Sequence, residues 1–178
     1  SLNATNSTYV PAPEVSTNTG DRVTLVRGQV AIKKNTVTVG GVGSGAAAID
    51  ATGSANAGDT IVWQIQPSGS STSTGVSALN VSIVDVLPAY TTYDATCTAS
   101  IAGGTPPALV EPNTPAAGQT RLTWNLGDQP YNTPWPTLRV CTRTDPTAPT
   151  ATALVNTATV NTPSAISASD PHTVNLTQ

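Results

Sequence analysis

Lysine occurs at only two positions of the chain, Lys33 and Lys34, and the two are adjacent. If Gln29-Val-Ala-Ile-Lys-Lys34 is a strand, alternation sends Lys34 to the face shared by Val30 and Ile32. The same parity turns Asp85 toward the face of Val81 and Ile83, and Asn156 toward that of Leu154, Ala158 and Val160. An amine, a carboxyl and a carboxamide on inward faces are the set an intramolecular isopeptide bond requires. A neutral lysine amine attacks the asparagine carboxamide while a protonated carboxylic acid polarises the carbonyl and carries the proton. Burial favours both uncharged forms. The three residues also have a plainer use: Asp85 caps the turn before Leu87-Pro88, Asn156 bonds local backbone, and Lys34 ends a strand in solvent. Sequence leaves both arrangements open.

Other chemistry is sparse. His172 is the only imidazole, so a Ser/His/Asp or Cys/His arrangement would have to use a residue near the end of the chain, with no motif around it. Glu14 and Glu111 stand in loop-like segments without an identifiable partner. No GxGxxG, P-loop or metal-spaced His/Cys cluster is present. The expectation is a protein that is not an enzyme and uses no cofactor and no metal. The two cysteines, Cys97 and Cys141, read either as one disulfide formed in an oxidising compartment or as two buried thiols. A disulfide at this spacing would add roughly 4 kcal/mol on a chain-entropy basis. Tyr131-Asn-Thr-Pro-Trp135-Pro sets two large rings in a loop. It is either a candidate interface or sugar-stacking platform or a cover over one end of the fold.

The elements that must position these residues are strands. Charged residues make up only 10% of the 178, hydrophobic residues 38%, and the net charge is −3. No apolar run is long enough to span a bilayer, and no basic face suits nucleic acid. With 14 Gly and 15 Pro spread through the chain, long helices are excluded. Short alternating runs bounded by turn residues predict strands at Arg22–Val26, Gln29–Lys34, Thr36–Val39, Ile61–Ile65, Ala78–Val86, Tyr90–Thr98, Thr120–Leu126, Thr137–Thr142, Ala153–Val160 and His172–Thr177. The Gly/Ala run 40–57 and the Pro-rich stretch 103–118 read as connections. The expected class is an all-β antiparallel sandwich with extended arms: 1–20 an arm, 21–165 the sandwich, 166–178 a C-terminal tail or strand.

Five motifs in order carry a resemblance. Ala57-Gly-Asp-Thr-Ile-Val-Trp63 is similar to a "PGDTVTYT" strand and Val81–Pro88 to "VTVTDTLP". Leu122-Thr-Trp-Asn-Leu-Gly127 is similar to "W.LG", Val155–Val160 to "NTATV", and Ser169-Asp-Pro171 to a closing "DPDP". Together they resemble the immunoglobulin-like conserved-repeat module called the domain of unknown function eleven family, over about residues 22–171. The resemblance implies an immunoglobulin-like sandwich of exported bacterial or archaeal surface proteins, without catalysis. Members usually occur as tandem copies, whereas this chain holds one copy with arms. The order of Lys34, Asp85 and Asn156 also resembles the layout of isopeptide-forming pilin and adhesin sandwiches.

Arms at both ends, one sandwich and few charges to keep copies apart point to a structural subunit of an extracellular filament or surface layer. Its partners would be identical subunits, joined when an arm adds a strand to a neighbour's open edge. Residues 1–20 are the first expected donor, and the tail His172–Gln178 the second. The alternative is an adhesin or carbohydrate-binding module contacting a glycan or host-surface ligand through the Trp135 loop. The N-x-Ser/Thr sequons at Asn3, Asn6, Asn80 and Asn175 suit an exported chain, and the start at Ser1 suits a processed one.

Overall fold

A computed structural model describes residues 28–39, 42–43 and 53–177. Its strands are β1 (Gly28–Val39), β2 (Val42–Gly43), β3 (Gly53–Ala55), β4 (Thr60–Ser71), β5 (Ser77–Leu87), β6 (Thr91–Tyr93), β7 (Leu109–Pro112), β8 (Thr120–Pro130), β9 (Leu138–Thr144), β10 (Ala153–Asn161) and β11 (Ala168–Leu176). A short helix, α1 (Ala95–Ser100), follows β6. The strands form two sheets, ordered β2-β1-β4-β9-β6 and β3-β11-β10-β5-β8-β7. Among the described residues every pairing between these strands is antiparallel except β11 with β3. The chain is therefore an immunoglobulin-like β-sandwich.

The sheets bury the apolar parity of their strands. Ile61, Trp63 and Ile65 of β4 are wholly buried, as are Ile83 and Leu87 of β5, Leu122 of β8, Leu154 and Val160 of β10, and Val174 of β11. In β4, which is central, Val62 and Gln64 on the other face are buried too. The Trp63 indole N–H donates to the Thr142 hydroxyl across 2.9 Å, so the ring's one polar atom is satisfied inside. In β5 the alternation is regular from Val81 onward, because an irregularity in the pairing with β8 resets the register between Ala78 and Ser82. Asn80 (φ 45°) and Gly127 (φ 70°) take the left-handed backbone there, and the Asn80 N–H is held by Oδ1 of Asp128 at 2.8 Å.

Several expected elements change. The runs at 29–34 and 36–39 are one strand bent by an irregularity between Thr36 and Thr38. The strand expected over Tyr90–Thr98 lasts only Thr91–Tyr93. Asp94 then caps α1, its Oδ1 accepting the Cys97 N–H at 2.8 Å, and side-chain capping competes with continued extension. The Pro-rich stretch contains edge strand β7, tied to β8 by the Arg121–Glu111 pair. The C-terminal segment, expected as a tail or strand, contains strand β11, which lies between β10 and β3. That occupancy removes His172–Gln178 as a donor arm. The arm 1–20 and the strand expected at Arg22–Val26 lie outside the described residues.

Candidate functional site

Lys34 enters the core from β1, in the first sheet; Asp85 and Asn156 enter from β5 and β10, in the second. All three are wholly buried, as their parity requires. The Lys34 Nζ donates to both oxygens of Asp85, at 2.8 and 2.9 Å. The Asn156 Nδ2 donates to Oδ2 of the same carboxyl at 3.5 Å, and its Oδ1 has no hydrogen-bond partner among the described residues. A half-turn of the carboxamide would bring that oxygen to the carboxyl instead.

Register explains how a lysine reaches across. Ala158 pairs with Asp85 on one side and with Asp170 on the other, so Asp85, Ala158 and Asp170 form one row across β5, β10 and β11. The smallest side chain of the row stands in the middle, between two carboxyls. Asp85 takes the ammonium, while Oδ2 of Asp170 accepts the main-chain N–H of Lys34 at 2.8 Å. In the adjacent row Asn156 pairs with His172. The buried His172 ring meets Trp63 edge-on at 6.1 Å, and Trp63 in turn faces the Lys34 ammonium, 5.2 Å from the ring centroid.

The electrostatics follow from dryness. Burial pulls the Lys34 amine below its ordinary value; the facing Asp85 carboxylate, and more weakly Asp170, work in the opposite direction. Burial pushes the Asp85 carboxyl up, against the pull of Lys34 and Asn156. Both shifts weaken the ion pair and bring the uncharged pair, a free amine beside a protonated acid, within easier reach. Asp170 and His172 are parts of this site that alternation alone did not single out, while Trp63, inward by its parity with Ile61 and Ile65, joins it from the core. Asp170 and His172 share the inward parity of Val174 and Leu176, a signal present in the sequence once β11 is recognised as a sandwich strand.

The remaining candidate positions have structural uses. Cys97 and Cys141 form a disulfide, 44 residues apart, fastening α1 to β9. Tyr131 and Trp135 are both buried, packed against Gly28 and Gly69, where a side chain would collide with their rings. The Trp135 indole N–H is spent on the Pro130 carbonyl at 2.8 Å. The loop is thus a plug over one end of the sandwich and offers no stacking face, because the apolar rings gain more by leaving water. Asp145, in the turn after β9, is likewise occupied, its carboxylate accepting the Thr147 N–H and hydroxyl, which hold its carboxyl below the ordinary range. Among the described residues no three His, Cys, Asp or Glu side chains cluster as metal ligands would.

No protein-family model matches the chain, and no curated protein sequence does. The resemblance to the domain of unknown function eleven family therefore stands on its five motifs alone. Among solved structures, the chain is similar to the sixth cohesin of Acetivibrio cellulolyticus scaffoldin B, crystallised with a Cel5 dockerin. The identity is 11%, the match covers 84% of this chain and 99% of that one, and the TM-score is 0.42. It is also similar to a variant of BcpA, the major pilin subunit of Bacillus cereus, at 12% identity, 84% and 41% coverage and a TM-score of 0.41.

Proposed function

We propose that the chain is a structural subunit of an extracellular filament or surface layer, hardened by a Lys34–Asn156 isopeptide bond and joined to identical copies by strand addition. The observation that carries this reading is the convergence of Lys34, Asp85 and Asn156, from opposite sheets, in a wholly buried cluster. A proton passing from the Lys34 ammonium to Asp85 leaves a free amine and an acid. The amine attacks Cγ of Asn156 while Asp85 donates to the carboxamide oxygen. The new Nζ–Cγ bond replaces Cγ–Nδ2, the leaving nitrogen departs as ammonia, and Asp85 ends with the proton count it had as the acid.

The location suits a load. Tension entering through β1 and leaving through β11 would otherwise peel the two sheets apart. A bond from β1 to β10, the neighbour of β11, takes the strands between them out of the load path. The adhesin alternative loses the two rings expected to make its contact, because Tyr131 and Trp135 are buried, while residues 132–134 and 136–137 of the loop stay exposed.

Intact-mass measurement of the native protein tests the reading. The expected mass lies one ammonia, about 17 Da, below the sequence mass already corrected for the disulfide. Asn156→Ala is expected to abolish that further loss. A native mass lowered only by the disulfide's two hydrogens overturns the bond.

A further inference from the structure

On the side of β1 away from β4, the only strand pairing among the described residues is with β2, at Thr38 and Val39. Gly28, Val30, Ile32 and Lys34 share one parity, so their main-chain groups all point to this outer side. At Lys34 the N–H is closed off by Asp170. From Gly28 to Ile32 no described residue takes these groups. Beside that edge lies a cleft of about 680 Å³, lined by Gly28, Gln29, Val30 and the turn Pro163–Ser167. Ile166, on the cleft wall, is 85% exposed, the most exposed large apolar side chain among the described residues. The Tyr131 hydroxyl, buried against Gly28, has no hydrogen-bond partner among the described residues. An open run of main-chain donors and acceptors, an apolar wall and a buried hydroxyl without a partner describe a slot for one more strand.

The geometry points to residues Leu2–Val10 of a second copy as the strand that fills this slot, an assignment resting on the assembling-subunit reading above. The segment, Leu2-Asn-Ala-Thr-Asn-Ser-Thr-Tyr-Val10, has no proline and carries the Thr, Tyr and Val that suit a pleated surface. Pro11 and Pro13 follow at once and end the ladder, since neither can donate to it. The usable edge, five residues from Gly28 until Asp170 closes it, fits inside the nine-residue segment with room for register. The residues between Pro13 and Gly28 supply the reach: about 14 residues of extended chain span up to roughly 45 Å, enough to cross to a neighbour. Because the arm joins β1 at Gly28, at the mouth of its own copy's slot, each copy would give its arm to one neighbour and receive an arm from another. That is a head-to-tail contact, which propagates.

Paired cysteines test the assignment in the full chain. Gln29→Cys on the exposed face of β1 is combined with Ser7→Cys or Tyr9→Cys on the arm, and the protein is oxidised across a range of concentrations. The expected result is a ladder of disulfide-linked dimers and higher species on a non-reducing gel, growing with concentration and lost when either cysteine is omitted. A link closed within single chains, or assembly without any such link, overturns the slot assignment while leaving the subunit reading in place. Wild-type chains that stay monomeric at every concentration by light scattering overturn that reading itself.

Discussion

The main-chain N–H of Lys34 donates to Oδ2 of Asp170 across 2.8 Å, so the residue whose ammonium rests on Asp85 is also the point where edge strand β1 is tied to the opposite sheet. The tie fixes where the lysine side chain starts, and Asp85 fixes where it ends.

Asp170→Ala removes the acceptor and leaves a part-buried N–H unmet, a loss of about 1.5–3 kcal/mol for a hydrogen bond to a charged group. Asp170→Asn keeps an oxygen in place and is expected to recover more than half of that. Chemical denaturation of the two variants checks the order. Equal losses in both would mean that the charge, and not the hydrogen bond, is what β1 requires.

Ala158 stands between Asp85 and Asp170 in one row, where any larger side chain intrudes on the space the lysine crosses. Ala158→Leu is expected to lower stability by about 1–3 kcal/mol, the usual cost of overpacking. It should also leave the ammonia unreleased, because the amine no longer reaches Asn156. Melting temperature and intact mass report the two effects separately.

The inward set Lys34, Asp85 and Asn156 was legible in the sequence because each sits in a run of strict alternation, and a strand's period of two leaves no freedom once one face is apolar. Asp170 and His172 were not, because the strand expected there begins only at His172, and the exposed Ser169 and Pro171 hide the inward parity of its first residues until β10 is there to pair with them. Tyr131 and Trp135 were open between two uses for a different reason. A loop has no period, so whether its rings face water depends on distant residues, here the glycines at 28 and 69 that make room for them. Local capping by Asp94 defeated alternation over Ala95–Ser100, where six residues close into a helix.

Lys34 and Asp85 also make a prediction about charge that is independent of bond formation. In an Asn156→Ala background, where no bond forms, Asp85→Ala strands a buried ammonium and is expected to cost about 3–5 kcal/mol. Adding Lys34→Met to that variant removes the stranded charge and should restore most of the loss. Unfolding free energies of the three variants close the cycle. A double variant no more stable than Asp85→Ala alone would show that the ammonium finds water in the core, contrary to its complete burial.

The pH dependence of bond formation follows from the direction of the two shifts. Lys34 is held below the ordinary lysine value and Asp85 above the ordinary carboxylate value, each mainly by burial. The ion pair and the neutral pair hold the same number of protons, so passing from one to the other requires none from solvent. The rate of ammonia loss should therefore be flat between the two apparent pKa values of the pair. Toward acid, Asp85 gains a proton while Lys34 stays an ammonium, the nucleophile disappears and the rate falls. Toward alkali, the amine is free but Asp85 is a carboxylate, nothing polarises the carboxamide, and the rate falls again. A chain purified unfolded and folded by dilution at a series of pH values, with mass followed over time, is expected to give this bell, flat at its top and falling on both sides. A rate that climbs steadily toward the ordinary lysine pKa would mean that the amine reacts from solvent, without help from Asp85.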